Sequence, residues 1–392
     1  MSIRLDVSLR SINKFGEELC GDTAQMVENA KAQMVVLSDG MGSGVKANIL
    51  STLTAKILST MLELGAPLEE CVETIAKTLP ISEERDIAYS TFAILSVHPD
   101  GQAILIEYDT PRSIFIHEGR PLEHEFTERV LSGKKIRDYR FTMGPQDSVV
   151  MMSDGITHAG LGKKEYSFGW GRTRVSEYVG SLFAGQNITS ARITSALLGR
   201  ALDLYDKKAG DDSTVVTARA LQRRDLNIFT GPPSRKEDDE KIVREFLAAP
   251  GIHVISGGTS ATIAARVLGK TLVPSLLYAD PEIPPIASLE GLDLVTEGVL
   301  TLNRAISLMK TFNEGKFGME FYEKLDSENG GSRIAKLIIE EATHIHLFVG
   351  KAMNPAYQAK ELPFDLSIRM RLVEKIMEEG QKMGKVMSVT YY

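Results

Sequence analysis

Four aspartates in the first half of the chain stand at the ends of strand-like segments. Asp39 and Asp154 each close an apolar run with Ser-Asp-Gly, Asp22 follows Gly21, and Asp211 comes just before another apolar run. If these segments are neighbours in one packed layer, their ends converge and the four carboxylates meet. Carboxylates held together repel each other, so either some of them are protonated or a cation lies between them.

Such a cluster suits hard divalent cations. Mg²⁺ and Mn²⁺ take oxygen ligands and keep several waters. Glycine beside an aspartate lets the backbone come close, so that a carbonyl can also reach an ion. Two ions about 3.5–4 Å apart can activate a bridging water and hold a phosphoryl group for in-line attack. A single Asp-Gly at a strand end is usually only a turn, so the pattern gains meaning from its order and separation along the chain.

The segments around these aspartates predict an α+β layered domain over residues 1–222. Strands are predicted at 34–37, 91–97, 103–108, 113–116, 148–152 and 214–218, and helices at 44–64, 68–78 and 190–205. His98-Pro99-Asp100-Gly101 joins two of the strands as a hairpin, which indicates antiparallel pairing. Blocks of antiparallel strands and helices are typical of layered α+β domains.

The pattern changes near residue 223. Residues 225–392 alternate strand-like and helix-like segments, beginning with 226–230, 237–248, 252–256 and 260–268. This alternation predicts a second, α/β domain with a parallel, Rossmann-like sheet.

The bulk composition argues against several classes of protein. The net charge is −7 and the isoelectric point is about 5.7, whereas nucleic-acid binding normally requires a basic surface. No apolar run approaches the roughly 20 residues that span a bilayer, and the first ten residues lack the apolar core of a signal peptide. Cys20 and Cys71 are too few for a disulfide framework or a zinc site, so we expect a reducing cytoplasm.

Five motifs, taken together and in order, resemble those of the type 2C metal-dependent serine/threonine protein phosphatases. They are GEELCGD at 16–22, MVVLSDGMGSG at 34–44, YSTFAILSV at 89–97, DSVVMMSDG at 147–155 and DDSTVV at 211–216. The resemblance is to the bacterial branch of stage II sporulation and sigma-factor regulator phosphatases, and it covers the first domain. It implies an α-β-β-α sandwich of two antiparallel sheets with helices outside and a binuclear Mn²⁺ or Mg²⁺ centre at one edge.

The resemblance also implies a ligand set for the two ions. Carried over position by position, the ligands are Asp39 as the bridge, Asp22 and the Gly40 carbonyl on one ion, and Asp154 and Asp211 on the other. Asp212 stands where many relatives have asparagine. We expect it to orient Asp211 or to cap a turn rather than to bind an ion.

Three positions bear on the details of this centre. Many relatives have a histidine after the bridging Asp-Gly that is proposed to protonate the leaving group, but here the residue is Met41. Those relatives also bind phosphate with an arginine that this chain lacks, and Lys14 is the candidate substitute, with a solvated lysine as the alternative. His158 follows the Asp154 motif and either approaches the centre or lies on the surface.

In the second domain, the run VISGGTSATIAARVLG predicts a strand, a glycine loop and a helix. The turn contains Gly257, Gly258, Thr259 and Ser260. Free N–H groups at a helix start favour an anion, but the run matches neither a Walker loop nor a dinucleotide fingerprint. A plain strand-to-helix turn explains it equally well. The domain therefore either binds a small anionic ligand that regulates the phosphatase or serves protein docking or dimerisation.

Together these patterns predict a cytoplasmic enzyme that hydrolyses phosphoserine and phosphothreonine on a bacterial signalling protein, using two Mn²⁺ or Mg²⁺ ions and an activated water. The resemblance implies a phosphorylated anti-anti-sigma-type domain as the substrate. Two alternatives stay open. One is a ligand-sensing or scaffold protein with a C-terminal anion or nucleotide site and a weakly active phosphatase domain, and the other is a small-molecule phosphatase.

Overall fold

The computed structural model of the chain describes residues 3–78, 90–131, 133–183, 188–275, 280, 283–315, 318–352 and 364–392. The chain forms two units, Met1–Gln222 and Arg223–Tyr392, which we call unit 1 and unit 2. Each unit encloses hydrophobic clusters of its own.

Unit 1 consists of eleven described strands and five described helices. The strands are β1 (Ile3–Ile12), β2 (Asp22–Glu28), β3 (Gln33–Gly40), β4 (Ser90–Val97), β5 (Gln102–Tyr108), β6 (Ile114–His117), β7 (Arg120–Leu122), β8 (Thr127–Leu131), β9 (Lys134–Thr142), β10 (Ser148–Met152) and β11 (Ser213–Gln222). The helices are α1 (Gly44–Glu63), α2 (Leu68–Thr78), α3 (Asp154–Thr157), α4 (Arg172–Leu182) and α5 (Ser190–Leu204).

The strands of unit 1 form two antiparallel sheets packed face to face. One sheet has the order β1-β11-β10-β6-β7 and the other has the order β2-β3-β4-β5-β9-β8. Apolar side chains from both sheets fill the space between them. The outer face of the first sheet packs on α4 and α5, and the outer face of the second packs on α1 and α2. The predicted α-β-β-α sandwich is confirmed.

The strand β3 shows why a continuous apolar run is needed in such a sandwich. Val35 and Leu37 point into the layer between the sheets, whereas Met34 and Val36 belong to the layer under the helices. All four side chains are buried because both faces of the strand are covered. The run ends at Asp39, where the strand reaches the edge of the sandwich.

Unit 2 contains seven strands and six helices among its described residues. In chain order they are β12 (Asp225–Thr230), α6 (Asp239–Ala248), β13 (Ile252–Ser256), α7 (Gly258–Leu268), β14 (Val273–Pro274), β15 (Ala287–Ser288), β16 (Leu294–Thr296), α8 (Val299–Asn313), α9 (Met319–Leu325), α10 (Gly330–Lys336), β17 (His344–Val349), α11 (Phe364–Lys382) and β18 (Val386–Tyr391). A short 3-10 helix, Lys236–Asp238, precedes α6, and a π-helical segment, Leu337–Glu341, continues α10.

The sheet of unit 2 has the predicted parallel core, and two short antiparallel strands at one edge make the sheet as a whole mixed. Its order is β14-β15-β16-β13-β12-β17-β18. Five neighbouring strands, in the order β16-β13-β12-β17-β18, are parallel. This is the order of doubly wound folds, in which the chain starts at the centre of the sheet and winds to each edge. The two-residue strands β14 and β15 extend the sheet beyond β16, and both are antiparallel to their neighbours. Helices α6 and α7 cover one face, and α8 to α11 cover the other.

Two further observations concern the helices. Residues 156–173 include the end of the one-turn helix α3 and the start of α4. None of the helices in the described part of the chain has the length and apolar character that crossing a bilayer requires.

Candidate metal centre

Asp22 and Asp39 face each other on neighbouring strands of the six-stranded sheet. They are a directly opposed pair in the ladder between β2 and β3. Asp22 is only 5% exposed, and both of its carboxylate oxygens are buried. The side chains of Ser153, Thr214 and Asp39 lie close enough to influence its pKa as hydrogen-bond partners. Burial raises the pKa of Asp22 to about 6. The two carboxylates therefore share a partly dry pocket at the end of the sheet.

Asp154 and Asp211 come from the other sheet. Asp154 begins α3 directly after β10, and Asp211 lies two residues before β11. The Ser153 N–H donates to the Thr214 carbonyl at 3.0 Å, and the Thr214 N–H donates to Ser153 Oγ at 2.8 Å. These bonds hold the end of one strand against the start of the next. As a result, carboxylate oxygens of Asp154 and Asp211 lie within 4.8 Å of each other.

The loops that carry the two pairs are in contact, because Asp212 Oδ2 lies 2.8 Å from where a Cβ on Gly21 would be, and the charges of the two pairs act on each other. Burial, followed by the charges of Asp22, Asp154 and Asp211, raises the pKa of Asp39 to about 9. Burial and the charge of Asp154 also raise the pKa of Asp211, which the nearby Lys14 partly opposes. The structure thus brings together the four aspartates that the sequence singled out, at one edge of the sandwich.

The glycines after the two Ser-Asp pairs are required by close backbone packing. A Cβ on Gly40 would lie 2.0 Å from the Ala47 carbonyl oxygen in the first turns of α1. A Cβ on Gly155 would lie 2.0 Å from the Asp212 carbonyl oxygen. Any larger residue would push α1 or the Asp211 loop away from the aspartates, because real contacts of a Cβ are never so short.

Asp212 links the loops that surround the centre. It is 4% exposed, and its Oδ1 accepts a hydrogen bond from the Lys14 N–H at 3.0 Å. Its Oδ2 has no hydrogen-bond partner among the described residues and would contact a Cβ placed on Gly21 at 2.8 Å. The Asp212 backbone N–H donates to Asp211 Oδ1 at 3.0 Å, and the role of the Asp212 side chain in orienting Asp211 stays a prediction.

Lys14 lies at the mouth of the centre. Its Nζ is 3.4 Å from Ser43 Oγ, which stands at the start of α1, and its charge acts on Asp211. Glu17 lies on the other side of Ser43, with Oε1 at 3.4 Å from the same hydroxyl. The loop that carries Lys14 and Glu17 therefore places an ammonium group and a carboxylate next to the N-terminus of α1.

The residues present fit a pair of hard divalent cations. The cluster supplies carboxylate oxygens, both of those on Asp22 are buried, and oxygen ligands are what Mg²⁺ and Mn²⁺ prefer. Burial, with the charges of the neighbouring aspartates, raises the pKa values of Asp22, Asp39 and Asp211. A cation bound here would replace the protons that the carboxylates otherwise retain.

His158 is a residue that the sequence left undecided and that the structure places at the centre. Its Nδ1 lies 3.6 Å from Asp154 Oδ2, and a ring nitrogen is within 4.8 Å of both the Asp154 and the Asp211 oxygens. The available signal was its position four residues after Asp154, because residues four apart lie on the same side of a helix.

The predicted loop of unit 2 forms the first turn of α7. Gly257 has φ 138° and precedes the helix, and its N–H donates to the Thr296 carbonyl at 2.9 Å. Ser260 is fully buried, and its Oγ has no hydrogen-bond partner among the described residues. A Cβ on Gly258 would lie 3.3 Å from Glu297 Oε1, so a carboxylate already lies next to this helix start. Thr259, between these residues, is exposed.

Comparisons with known proteins match the first unit. Residues 29–221 match the family model described as Stage II sporulation protein E (SpoIIE). A curated relative, Stage II sporulation protein E of Bacillus subtilis (strain 168), is 28% identical over 170 residues, which cover 40% of this chain and 19% of the relative. The chain thus spans about a fifth of the length of that relative.

Two solved structures are also similar. One contains the PP2C phosphatase domain and a fragment of the regulatory domain of SpoIIE from Bacillus subtilis, with 21% identity, coverage of 56% of this chain and 64% of that chain, and a TM-score of 0.47. The other contains the RsbU and RsbW domains of a Mycobacterium tuberculosis protein, with 15% identity, coverage of 62% and 68%, and a TM-score of 0.47.

Proposed function

From residues 29–221, which form a domain of the Stage II sporulation protein E family of PP2C-type phosphatases, we propose that this chain hydrolyses phosphoserine and phosphothreonine on a protein substrate with the help of two Mn²⁺ or Mg²⁺ ions. The observation that carries the proposal is the meeting of four aspartates from two sheets at one edge of the sandwich, where the carboxylate of Asp22 is buried. Clustered carboxylates repel each other unless protons or a cation neutralise them, so such a cluster indicates a cation site.

The proposed roles of the residues follow from their places. Asp39, on which the charges of the other three aspartates act, would be shared by both ions, while Asp22 and the Gly40 carbonyl would help to hold one ion and Asp154 and Asp211 the other. When bound, the ions would activate the attacking water and neutralise charge on the phosphoryl oxygens. Asp212 holds the Lys14 backbone in place, which leaves the Lys14 ammonium free to contact a substrate phosphate at the mouth.

Exposed apolar side chains beside the mouth support a protein substrate. Phe15 and Leu19 lie on the loop that carries Lys14, and Val45 and Ile49 lie on the first turns of α1. All four are at least 43% exposed. Apolar groups gathered next to a charged site favour a folded or extended protein over a small phosphorylated metabolite. The anti-anti-sigma-type domain implied by the motifs is the first partner to test, and the free thiols of both cysteines are compatible with the proposed cytoplasmic location.

Activity measurements test the enzyme proposal. With Mn²⁺ or Mg²⁺ added to metal-free protein, we expect hydrolysis of p-nitrophenyl phosphate and of a phosphoserine protein. Asp39→Asn should lower kcat/KM by more than about 100-fold, because it removes the bridging charge, whereas loss of a group that only supports a ligand already costs about 10–100-fold. Asp100→Asn, in the exposed turn between β4 and β5, is the matched control and should be unaffected.

The same assays separate the alternatives. A chain that turns over neither substrate with any divalent cation would be a scaffold or sensor rather than an enzyme. Faster turnover of phosphorylated metabolites than of phosphoproteins would indicate a small-molecule phosphatase.

For unit 2 we propose a small-ligand site at the start of α7, favoured by the buried, unpartnered Ser260 hydroxyl. If the ligand is an anion, Glu297 opposes it, and Glu297→Gln should strengthen the binding of inorganic phosphate or a nucleotide in calorimetry. Ser260→Ala should weaken it. If neither compound binds the wild type or the Glu297→Gln variant, the proposal of an anion site is wrong, and docking or dimerisation becomes the better explanation.

A further inference from the structure

His158 lies at the outer side of the centre, on the same turn of chain as Asp154. Its backbone N–H donates to the Asp154 carbonyl at 2.8 Å, which completes the single turn of α3. The ring is about half exposed, and its Nδ1 faces Asp154 Oδ2 at 3.6 Å. Among the residues that the structure describes, the ring is ion-paired with no other group.

The backbone around His158 is held firmly. The His158 carbonyl accepts a hydrogen bond from the Leu161 N–H at 2.9 Å. A Cβ on Gly169 would lie 2.8 Å from the His158 Cα, so the loop that follows packs directly on this residue. Gly171 also donates its N–H to the Thr157 carbonyl at 2.9 Å. The backbone that carries the ring is therefore fixed, and in the structure the ring faces Asp154.

Three donor atoms converge at this place. A ring nitrogen of His158 and carboxylate oxygens of Asp154 and Asp211 all lie within 4.8 Å of one another. An exposed ion pair of His158 with Asp154 alone, four residues apart, would contribute little to stability and would leave Asp211 without a part in it. The approach of all three donors is what a cation site requires.

The kind of donor matters for the choice of metal. Mg²⁺ binds oxygen ligands almost exclusively, whereas Mn²⁺ and later transition ions accept imidazole nitrogen more readily. Resting on the proposed function, we propose that His158 is a nitrogen ligand of the cation site formed by Asp154 and Asp211, and that it makes this site prefer Mn²⁺ to Mg²⁺. The aspartates alone would form an all-oxygen site without that preference.

Pulsed electron paramagnetic resonance of the Mn²⁺-loaded chain tests the proposal without reference to activity. At Mn²⁺ loadings from below one equivalent to saturation, we expect nitrogen-14 modulation from a directly bound imidazole. His158→Ala should abolish the modulation. His98→Ala, a histidine of the β4–β5 connection, is the matched control and should leave it unchanged.

Metal affinities give a second readout. His158→Ala should weaken Mn²⁺ binding at one site by about tenfold or more, because mutation of residues that surround a bound metal typically lowers metal affinity by about 10–100-fold. The same variant should weaken Mg²⁺ binding much less. His158→Asp, which supplies an oxygen in place of the nitrogen, should restore binding and shift the preference towards Mg²⁺. Mn²⁺ binding without nitrogen modulation at any loading would overturn this inference but leave the proposed function intact. Failure of the wild type to bind Mn²⁺ or Mg²⁺ at all would overturn both.

A role for His158 as the acid that protonates the leaving group predicts a different result. In that case His158→Ala would slow hydrolysis of phosphoserine much more than that of p-nitrophenyl phosphate, whose leaving group needs no proton, and excess Mn²⁺ would not rescue it. As a metal ligand, its loss should slow both substrates equally, and excess Mn²⁺ should restore both.

Discussion

Asp22 shows what single side chains contribute to the centre. A buried carboxylate such as that of Asp22 destabilises a folded protein unless its charge is removed or neutralised. In the absence of ions the raised pKa removes part of that charge by protonation. A divalent cation would neutralise this charge instead. The free energy of folding that the metal-free protein loses by burying the carboxylate would then be recovered on metal binding, and this recovery strengthens the affinity for the metal.

The role of Lys14 can be tested separately from metal binding. Lys14→Ala should raise KM for a phosphoserine protein by about tenfold or more, because a hydrogen bond to a charged group contributes about 1.5–3 kcal/mol. The backbone bond from Lys14 to Asp212 remains in this variant, so the loop should keep its place. Initial-rate kinetics at saturating Mn²⁺ provide the measurement.

Lys14→Arg should retain most of the affinity for phosphate. Lys31→Ala, which removes an exposed lysine next to the β2–β3 turn, is the control and should change nothing. An unchanged KM in Lys14→Ala would show that this lysine is only a solvated surface residue.

At the level of residues, the sequence predicted members of the site where both the residue type and the order of the motifs along the chain indicated a metal centre. Asp39 and Asp154 share the Ser-Asp-Gly ending, and only the order of all the motifs linked them with Asp22 and Asp211. His158 could not be decided from its type, because an exposed histidine after a helix start is usually a surface residue. Its place depends on the one-turn helix α3, which is too short to give a periodic signal.

At the level of elements, strands that are buried on both faces were predictable and exposed ones were not. The apolar run of β3 is recognisable because both of its faces are covered. The strand β8, with the sequence TERVL, is largely exposed and carries no such pattern. Likewise, the two-residue edge strands β14 and β15 are too short for any periodicity, so the mixed character of the second sheet could not be foreseen.

The contact between β3 and α1 gives a prediction at this level. Gly40→Ala places a methyl group 2.0 Å from the Ala47 carbonyl oxygen, so α1 must move away from the centre. We expect a loss of about 1–3 kcal/mol of stability from overpacking and a weaker affinity for Mn²⁺. Chemical denaturation and calorimetry measure the two effects.

Gly199→Ala, within α5, is the matched control. Nothing lies within 4 Å of a Cβ at this position, so alanine should be tolerated and should stabilise the helix by about 0.5–1 kcal/mol. If Gly40→Ala and Gly199→Ala had the same stability and the same affinity for Mn²⁺, the close approach of α1 to Gly40 would not contribute to the metal centre.

For the molecule as a whole, the net charge of −7 and the cluster of acids make the metal-free state sensitive to pH. The pKa of Asp39 in the folded state, about 9, is higher than the ordinary aspartate value of 3.8 that applies in the unfolded chain. A group of this kind stabilises the fold at low pH, and that contribution is lost as the pH rises from about 4 to about 9. The metal-free protein should therefore become less stable over this range.

Thermal unfolding in the presence of a chelator, from about pH 5 to about pH 8.5, measures this effect. Asp39→Asn should show a weaker decline, because its side chain does not ionise, and saturating Mn²⁺ should remove the decline in the wild type. A metal-free wild type whose midpoint stays level or rises with pH would contradict the clustering of these carboxylates.

The sequence also indicated where the chain divides into different folds, because the pattern of segments changes near residue 223. What it could not supply was the distance between side chains more than 100 residues apart, since separation along the chain does not determine proximity in space. The meeting of Asp39 with Asp154 and Asp211 depends on two sheets packing so that the relevant strand ends share one edge.

The most direct test of the account is anomalous diffraction from a crystal of the whole chain soaked in Mn²⁺. We expect two strong anomalous peaks about 3.5–4 Å apart, one contacted by Asp22 and Asp39 and the other by Asp154 and Asp211, with Asp39 between them. A soaked crystal with no peak within ligand distance of these aspartates would contradict the account.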